Sequence, residues 1–183
     1  AVLLQGASFT ITTPQEEGIV LEVEETGTTF EANAAIKAEA FAKASGLMAL
    51  ADDSGLEVDV LGGEPGVMSA RYAGPDASDE DRVRYLLSKL EGIKWNMRGA
   101  RFRSVIAVAE PEGTIELFEG TCEGMIALSP RGAGGFGYDP VFYVPSLGKL
   151  MAELTMEEKN SISHRGSAAR KAVEYLKIAV VNG

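Results

Sequence analysis

Residues 101–109 and 114–119 are two β-type runs separated only by Glu110-Pro111-Glu112-Gly113. That spacing constrains the fold more than any other stretch. A short Pro/Gly break leaves room for a hairpin turn, but not for the helical crossover that a parallel pair requires. The middle of the chain is therefore antiparallel, and further β-type runs follow at 122–128 and 141–144. Helical patterns stand on both sides of this region, so a pure βαβ repeat does not fit. The expectation is an α/β fold: two lobes around a long mixed β-sheet with flanking helices, and a ligand cleft between the lobes. No internal repeat, low-complexity segment or linker breaks the 183 residues, so a single two-lobed domain over 1–183 is expected.

The helices are marked by their caps. Thr28-Thr29-Phe30-Glu31 has the form of a capping box with Thr28 as N-cap, opening a helix that runs to about Ser45 and stops at Gly46. Alanine is spread almost all round this helix, which predicts packing on several sides. Residues 78–90 form an amphipathic helix: Ser78 caps it, Val83, Leu86, Leu87 and Leu90 make its stripe, and Gly92 follows. Thr155-Met156-Glu157-Glu158 opens a short helix. A last helix covers 163–181, with Ala168, Ala172, Tyr175, Leu176 and Ala179 on one face. The apolar run 47–51 predicts a buried strand ending at Asp52. Leu56, Val58 and Val60 alternate with Glu57 and Asp59, a second and half-buried strand. Residues 9–12 are a short strand candidate. Ala1 to Gly6 reads as the last turns of a helix with its glycine stop, which predicts a segment ahead of Ala1.

A formal net charge of -10 argues against a nucleic-acid polymer and against an anionic membrane surface as partner. It leaves open a small phosphorylated ligand, because a divalent cation bridges acidic protein to anionic ligand. No apolar run approaches the ~18 residues of a membrane span, and no basic-then-apolar signal peptide opens the chain. The single cysteine, Cys122, excludes an internal disulfide. Together these features predict a cytoplasmic protein in a reducing compartment.

Several residues stand where structure alone does not require them. Asp52-Asp53-Ser54-Gly55 places adjacent carboxylates at the expected strand end, where α/β sheets bind ligands. Two such groups repel and are costly to desolvate unless a cation lies near. A hard divalent cation prefers such oxygens; a turn cap after a strand is the plainer alternative. Lys37 shares a helix face with Phe30, Ala34 and Phe41. Its ammonium either snorkels to water or points into a cleft toward phosphate. Glu24-Glu25-Thr26-Gly27 is an acidic loop, solvated by itself, or half of a cation site if Glu25 meets Asp53 in space.

Two familiar phosphate motifs fail on context. No G-x-x-x-x-G-K-[ST] string occurs, which removes a P-loop. Gly132, Gly134 and Gly137 form a G-x-G-x-x-G, but Asp139-Pro140 and a β-type run follow it, not a helix. What remains is a glycine loop carrying Phe136 and Tyr138, which either stack on a flat base or pack beneath the loop. Finally, Ser163, the sole histidine His164 and Arg165 cluster at a helix N-terminus, with Lys159 just upstream. Cations at the positive end of a helix are locally unfavourable, and an anionic or acceptor-rich ligand would relieve them.

Taken in order, five strings are distinctive: Glu24-Glu25-Thr26-Gly27 with Thr29-Phe30-Glu31-Ala32-Asn33-Ala34 and Lys37; Ala51-Asp52-Asp53-Ser54-Gly55-Leu56; Pro65-Gly66-Val67 with Ser69-Ala70-Arg71-Tyr72; Gly134-Gly135-Phe136-Gly137-Tyr138-Asp139-Pro140; and Ala152-Glu153-Leu154-Thr155 with Glu158-Lys159 and Ser163-His164-Arg165-Gly166. Over nearly the whole chain they closely resemble the inosine triphosphate pyrophosphatase family, the non-standard purine NTP pyrophosphatases. The resemblance implies hydrolysis of dITP, ITP and XTP to the monophosphate and pyrophosphate with Mg²⁺, in a homodimeric two-lobed α/β enzyme. It implies that Glu25 and Asp53 hold Mg²⁺, that Asp53 also orients or deprotonates the attacking water, and that Ser54 and Lys37 contact the phosphate or sugar region. Phe136 would stack on the purine, with Gly137, Tyr138 and Asp139 completing that wall. Lys159, His164 and Arg165 would reach the base edge. The family also begins with a strand and a Thr/Ser-x-Asn-x-x-Lys loop that grips the triphosphate, and these are expected in the segment ahead of Ala1. Two other readings stay open on sequence: a nucleotide-binding module without turnover, and a pyrophosphatase for modified pyrimidine nucleotides.

Overall fold

A computed structural model describes the backbone of residues 10–182 and side chains as far as Ile178. Four helices and five strands carry the described fold: α1 (Phe30–Ser45), β1 (Ala49–Val58), α2 (Asp79–Lys89), β2 (Gly99–Ala109), β3 (Ile115–Ile126), β4 (Phe142–Val144), β5 (Lys149–Leu150), α3 (Met156–Ile162) and α4 (His164–Asn182). The strands form one antiparallel sheet in chain order, β1-β2-β3-β4-β5. The expected hairpin joins β2 to β3, with the Glu110 amide donating to Thr114 O at 2.9 Å and the Gly113 amide to Glu110 O at 3.0 Å. Met125 pairs with Tyr143 across β3 and β4, and Tyr143 with Leu150 across β4 and β5. The α/β class read from the sequence holds.

Contacts divide the chain into two compact units. The first comprises Ala1–Asp53, Ser104–Gly120 and Arg165–Gly183; the second comprises Ser54–Arg103 and Thr121–His164. The division is visible in the burial of β2. Ala100 and Phe102 are buried between the more open Arg101 and Arg103, so that half of the strand has one face turned from solvent. From Ser104 to Ala109 every residue is buried, the signature of a strand covered on both faces. In the first unit Ile106 and Val108 of β2 pack with Ala168, Ala172 and Leu176 of α4, and Phe118 lies against Tyr175 with ring centres 5.3 Å apart. The side chain of Ala179 lies outside the described residues.

In the second unit the expected stripe of α2 is realised. Val83, Leu86 and Leu90 join Leu56, Val58, Phe102, Cys122, Ile126 and Phe142 in one cluster. An eleven-residue helix is marginal alone, so this packing holds it. Its start is fixed by a reciprocal Ser78–Asp81 capping box. Beyond its end the buried Arg98 guanidinium donates to Leu90 O at 2.7 Å, Ile93 O at 3.0 Å and Ala127 O at 3.2 Å, a cation seated against the negative end of the helix. Burial pushes the Cys122 thiol up to about 11, so it behaves as a small apolar side chain. No helix among the described residues is long and apolar enough to cross a membrane.

Several sequence expectations need correction. The N-cap of α1 is Thr29, not Thr28: its side chain accepts from the Ala32 amide at 3.2 Å. The runs 47–51 and 56–60 are not two strands. A single β1 passes through Asp52-Asp53-Ser54-Gly55, and Leu47, Met48 and Leu50 are exposed. The paired carboxylates misled because they look like a terminus, yet a strand carries them when each points to its own side. Likewise 114–119 and 122–128 fuse into β3, because Gly120 is itself buried and keeps the alternation going. Thr10, Ile11 and Thr12 are exposed and irregular, not strand, while Phe9 and the glycine-stopped segment before it lie outside the described residues.

Candidate active site

In the first unit, α1 sets Asn33 and Lys37 one turn apart on the same face, at the edge of the buried stripe Phe30, Ala34, Ala38 and Ala42. Lys37 Nζ donates to Glu25 Oε1 at 2.6 Å and lies 3.4 Å from Asp53 Oδ1. One ammonium thus joins a loop carboxylate to a strand carboxylate. Asn33 holds the loop in place: its Oδ1 accepts from the Gly27 amide at 2.8 Å, and a Cβ at Gly27 would come within 2.6 Å of that oxygen. Only glycine allows so close an approach.

The electrostatics of this cluster are those of a site under load. Burial pushes the Asp53 carboxyl above its ordinary pKa, with the Lys37 charge opposing the shift. Burial also works against the Lys37 charge, but the Glu25 hydrogen bond and the Asp53 charge outweigh it and hold its pKa above the usual lysine value. Asp53 Oδ2 and Asn33 Nδ2 are both buried and neither completes a hydrogen bond, although the Asn33 amide lies near enough to draw the Asp53 pKa down. A buried carboxylate oxygen without a donor is costly and marks a place that a ligand can complete.

These residues fit a hard divalent cation. Both carboxylates already reach toward one positive charge, and the unsatisfied Asp53 oxygen offers a further ligand atom. No group of three or more His, Cys, Asp and Glu side chains converges among the described residues. A metal here would rest on two carboxylates and fill its remaining positions with water or ligand oxygens, as Mg²⁺ commonly does. Asp52, the other member of the pair, points elsewhere: its Oδ2 lies 3.4 Å from Arg165 Nε. The two adjacent charges are therefore neutralised by different cations.

The second unit holds the glycine loop. Phe136 is 61% exposed, but Tyr138 is only 4% exposed and belongs to the core, its hydroxyl donating to Ser69 O at 2.8 Å. The two loop aromatics are not presented together, and only Phe136 offers a face. Asp139 is buried, accepts from the Phe136 amide at 2.9 Å and pairs with Lys159. Lys159 Nζ also stands 4.7 Å from the centre of the Phe136 ring, a cation over an aromatic face. Gly135 adopts φ +81°, and a Cβ there would collide with the Asp139 carboxylate. The His164 ring stacks on Phe102 at 5.1 Å and 13°, and Phe102 packs on Phe142 in turn. Ser54 follows Asp53 on β1, and two residues later the Leu56 amide donates to Ser69 Oγ at 2.9 Å.

Of the residues singled out in the sequence, the structure gathers Glu25, Lys37 and Asp53 in the first unit. It gathers Phe136, Gly137, Asp139 and Lys159 in the second. Sequence reasoning gave no role to Asn33, Ser69, Phe102 or Asp79. Asn33 had left a signal: an amide within the alanine-rich face of a helix calls for a polar partner. The others act through contacts distant in sequence, which no local pattern reveals.

Carboxylates sharing an ammonium suit metal-assisted phosphate chemistry, and a single exposed ring on a braced loop suits a flat base. Both are parts of proteins that handle nucleotides. The profile of the Ham1 family matches residues 2–175, and the chain belongs to that family. The dITP/XTP pyrophosphatase of Desulforamulus reducens is 54% identical over 96% of this chain and 88% of its own length. That of Bacillus subtilis is 50% identical over 96% and 88%. Among solved structures, a HAM1 protein from Coxiella burnetii superposes with a TM-score of 0.89 at 44% identity, covering 100% of this chain and 91% of that one.

Proposed function

We infer that this chain is a nucleoside triphosphate pyrophosphohydrolase that converts dITP, ITP and XTP to the monophosphate and pyrophosphate, removing deaminated purines from the nucleotide pool. The observation that carries this reading is the Glu25–Lys37–Asp53 cluster, with one buried Asp53 oxygen still lacking a donor. Mg²⁺ held by Glu25 and Asp53 would neutralise phosphate oxygens and lower the barrier to displacement. Asp53, whose basicity burial raises, orients and deprotonates the attacking water. Lys37 exchanges its carboxylate partners for phosphate oxygens as the nucleotide arrives, supplying a point charge where negative charge grows. Ser54 donates to the phosphate or sugar region. Attack at the α-phosphorus releases pyrophosphate intact.

Selectivity is assigned to the Phe136 ring and to three donors, Lys159, His164 and Arg165. Phe136 stacks on the purine, and Gly137, Tyr138 and Asp139 complete that wall, Tyr138 and Asp139 from beneath the loop, where they are buried. Lys159, His164 and Arg165 donate at the base edge. Inosine and xanthine carry an acceptor oxygen at position 6, whereas adenine carries an amino group there and would leave those donors facing a donor, which discriminates strongly.

The test is pyrophosphate release from dITP, XTP, GTP, ATP and a modified dUTP, each with Mg²⁺ and with chelator. Turnover confined to dITP and XTP and dependent on Mg²⁺ is expected. Equal turnover of ATP, or full activity in chelator, would overturn the assignment. Phe136→Ala should raise KM for dITP about tenfold, the loss of one base–aromatic stack; an unchanged KM would remove Phe136 from the base site.

A further inference from the structure

The loop that carries Phe136 is braced by a residue outside it in sequence. The amides of Phe136 and Gly137 point to two different carboxylates: Phe136 N donates to Asp139 Oδ2 at 2.9 Å, and Gly137 N donates to Asp79 Oδ2 at 2.6 Å. Asp79 is the first residue of α2, fifty-eight positions away from Gly137. Its other oxygen is paired with Arg82, whose second nitrogen donates to Ala70 O at 2.7 Å and Ala77 O at 2.8 Å. The carboxylate is thereby fixed before it meets the loop. Its pKa is lowered, first by the Gly137 amide and then by Arg82, so it stays charged at neutral pH. Hydrogen bonds from an amide to an ionised carboxylate are the stronger kind. Two of them on consecutive amides leave the backbone on either side of the Phe136 ring little freedom to turn.

We propose that Asp79 is a positioning residue for the base-stacking ring: through the Gly137 amide it fixes the pose of Phe136 and so sets nucleotide affinity without touching the nucleotide. The proposal rests on the assignment of Phe136 to the base. Asp79 also sits in the first turn of a helix, where any carboxylate is favourable, so helix stabilisation is the competing explanation. Asp81 separates the two. It closes the capping box with Ser78, with Oδ2 accepting from Ser78 Oγ at 2.6 Å and Ser78 N at 3.1 Å, and its Oδ1 accepts from Arg84 on the same helix at 3.2 Å, so its hydrogen bonds among the described residues stay within α2 and its cap.

The experiment is steady-state pyrophosphate release from dITP by the full chain, with melting temperatures, for Asp79→Ala, Asp79→Asn, Asp81→Ala, Phe136→Ala and the Asp79→Ala/Phe136→Ala double variant. Asp79→Ala should raise KM about tenfold, the loss of one charge-assisted hydrogen bond, and change kcat less than about twofold. Asp79→Asn keeps an acceptor for the Gly137 amide and should recover most of the affinity. Asp81→Ala should lower the melting temperature but leave KM alone. The double variant should match Phe136→Ala in KM, because Asp79 acts only through the ring. An unchanged KM in Asp79→Ala, or equal KM rises in Asp79→Ala and Asp81→Ala, would overturn the proposal. Should Phe136→Ala leave KM unchanged, the base assignment itself fails; should Phe136→Ala raise KM while Asp79→Ala does not, only the role of Asp79 fails.

Discussion

The two clusters solve opposite problems. In the first unit, three charged side chains from a loop, a helix and a strand meet with their polar demands unbalanced. Two carboxylates share one ammonium, and Asp53 Oδ2 and Asn33 Nδ2 are buried without a completed hydrogen bond. In the second unit, the amides beside Phe136 are both bonded to carboxylates, and each carboxylate is itself bonded to a cation: Asp139 to Lys159, Asp79 to Arg82. The first arrangement holds unspent interaction energy that a cation and a phosphate can collect. The second has spent its interactions on rigidity, and the ring it holds in place is exposed, with Lys159 over its face. Chemistry needs groups that change partners during a cycle; recognition of a flat base gains more from a ring that does not move.

From that contrast, substitutions in the first unit should act on turnover and those in the second on affinity. Asp53→Asn should have the largest effect, lowering kcat for dITP roughly a thousandfold or more while the circular dichroism spectrum is unchanged. Near-normal turnover would remove Asp53 from the chemistry. Lys37→Met should follow, lowering kcat about a hundredfold, with a smaller change in KM. A purely affinity-based defect there would break the division between the two regions. Gly135→Ala tests the other side. The residue sits at φ +81° with the Asp139 carboxylate where its Cβ would be, so it should cost about 1–3 kcal/mol of stability and raise KM several-fold with kcat nearly intact. A loss of kcat equal to that of Lys37→Met would show that the loop takes part in the chemical step.

The same contrast explains what the sequence could reveal. Lys37 and Asp53 are legible as candidates because a charge on an apolar stripe or at the end of an apolar run conflicts with its local pattern, whereas Glu25 sits in an acidic loop that is solvated by itself and becomes a candidate only as half of a cation site with Asp53. Their meeting was not legible, since it depends on the path of the chain between them. The hairpin, the α2 stripe and the caps at Ser78 and Thr155 follow from local rules and stand as read. The strand break at Asp52 did not stand, because the rule that polar pairs end strands ignores the alternation that lets β1 send one aspartate to Arg165 and the next to Lys37. The glycine loop showed its aromatics but not their fates. Whether Phe136 or Tyr138 faces solvent is decided by Ser69 and Asp79, which lie across the fold of the second unit and carry no mark in the linear sequence.

The finest test compares one aspartate from each region by the sign of its effect on stability. Asp79 has a depressed pKa, so it contributes stability that is present above the ordinary carboxylate range and is lost as pH falls through its folded value. Asp53 has a raised pKa, because burial penalises its charge. The native state therefore holds that proton more tightly than the unfolded chain does, and stability falls as pH rises from the ordinary aspartate value through the raised one. Asp79→Asn should then lower the melting temperature of the metal-free protein at neutral pH and converge on the parent in acid. Asp53→Asn should do the reverse, matching the parent in acid and exceeding it at neutral pH. Shifts of no more than a few degrees are expected for a chain of this size, since Asp79 is partly solvent-screened and Lys37 offsets much of the burial at Asp53. Melting curves between acid and neutral pH in chelator measure both. Two profiles of the same sign would mean that the charge in the first unit is as well satisfied as that in the second, and the contrast between a cluster under strain and a loop at rest would be lost.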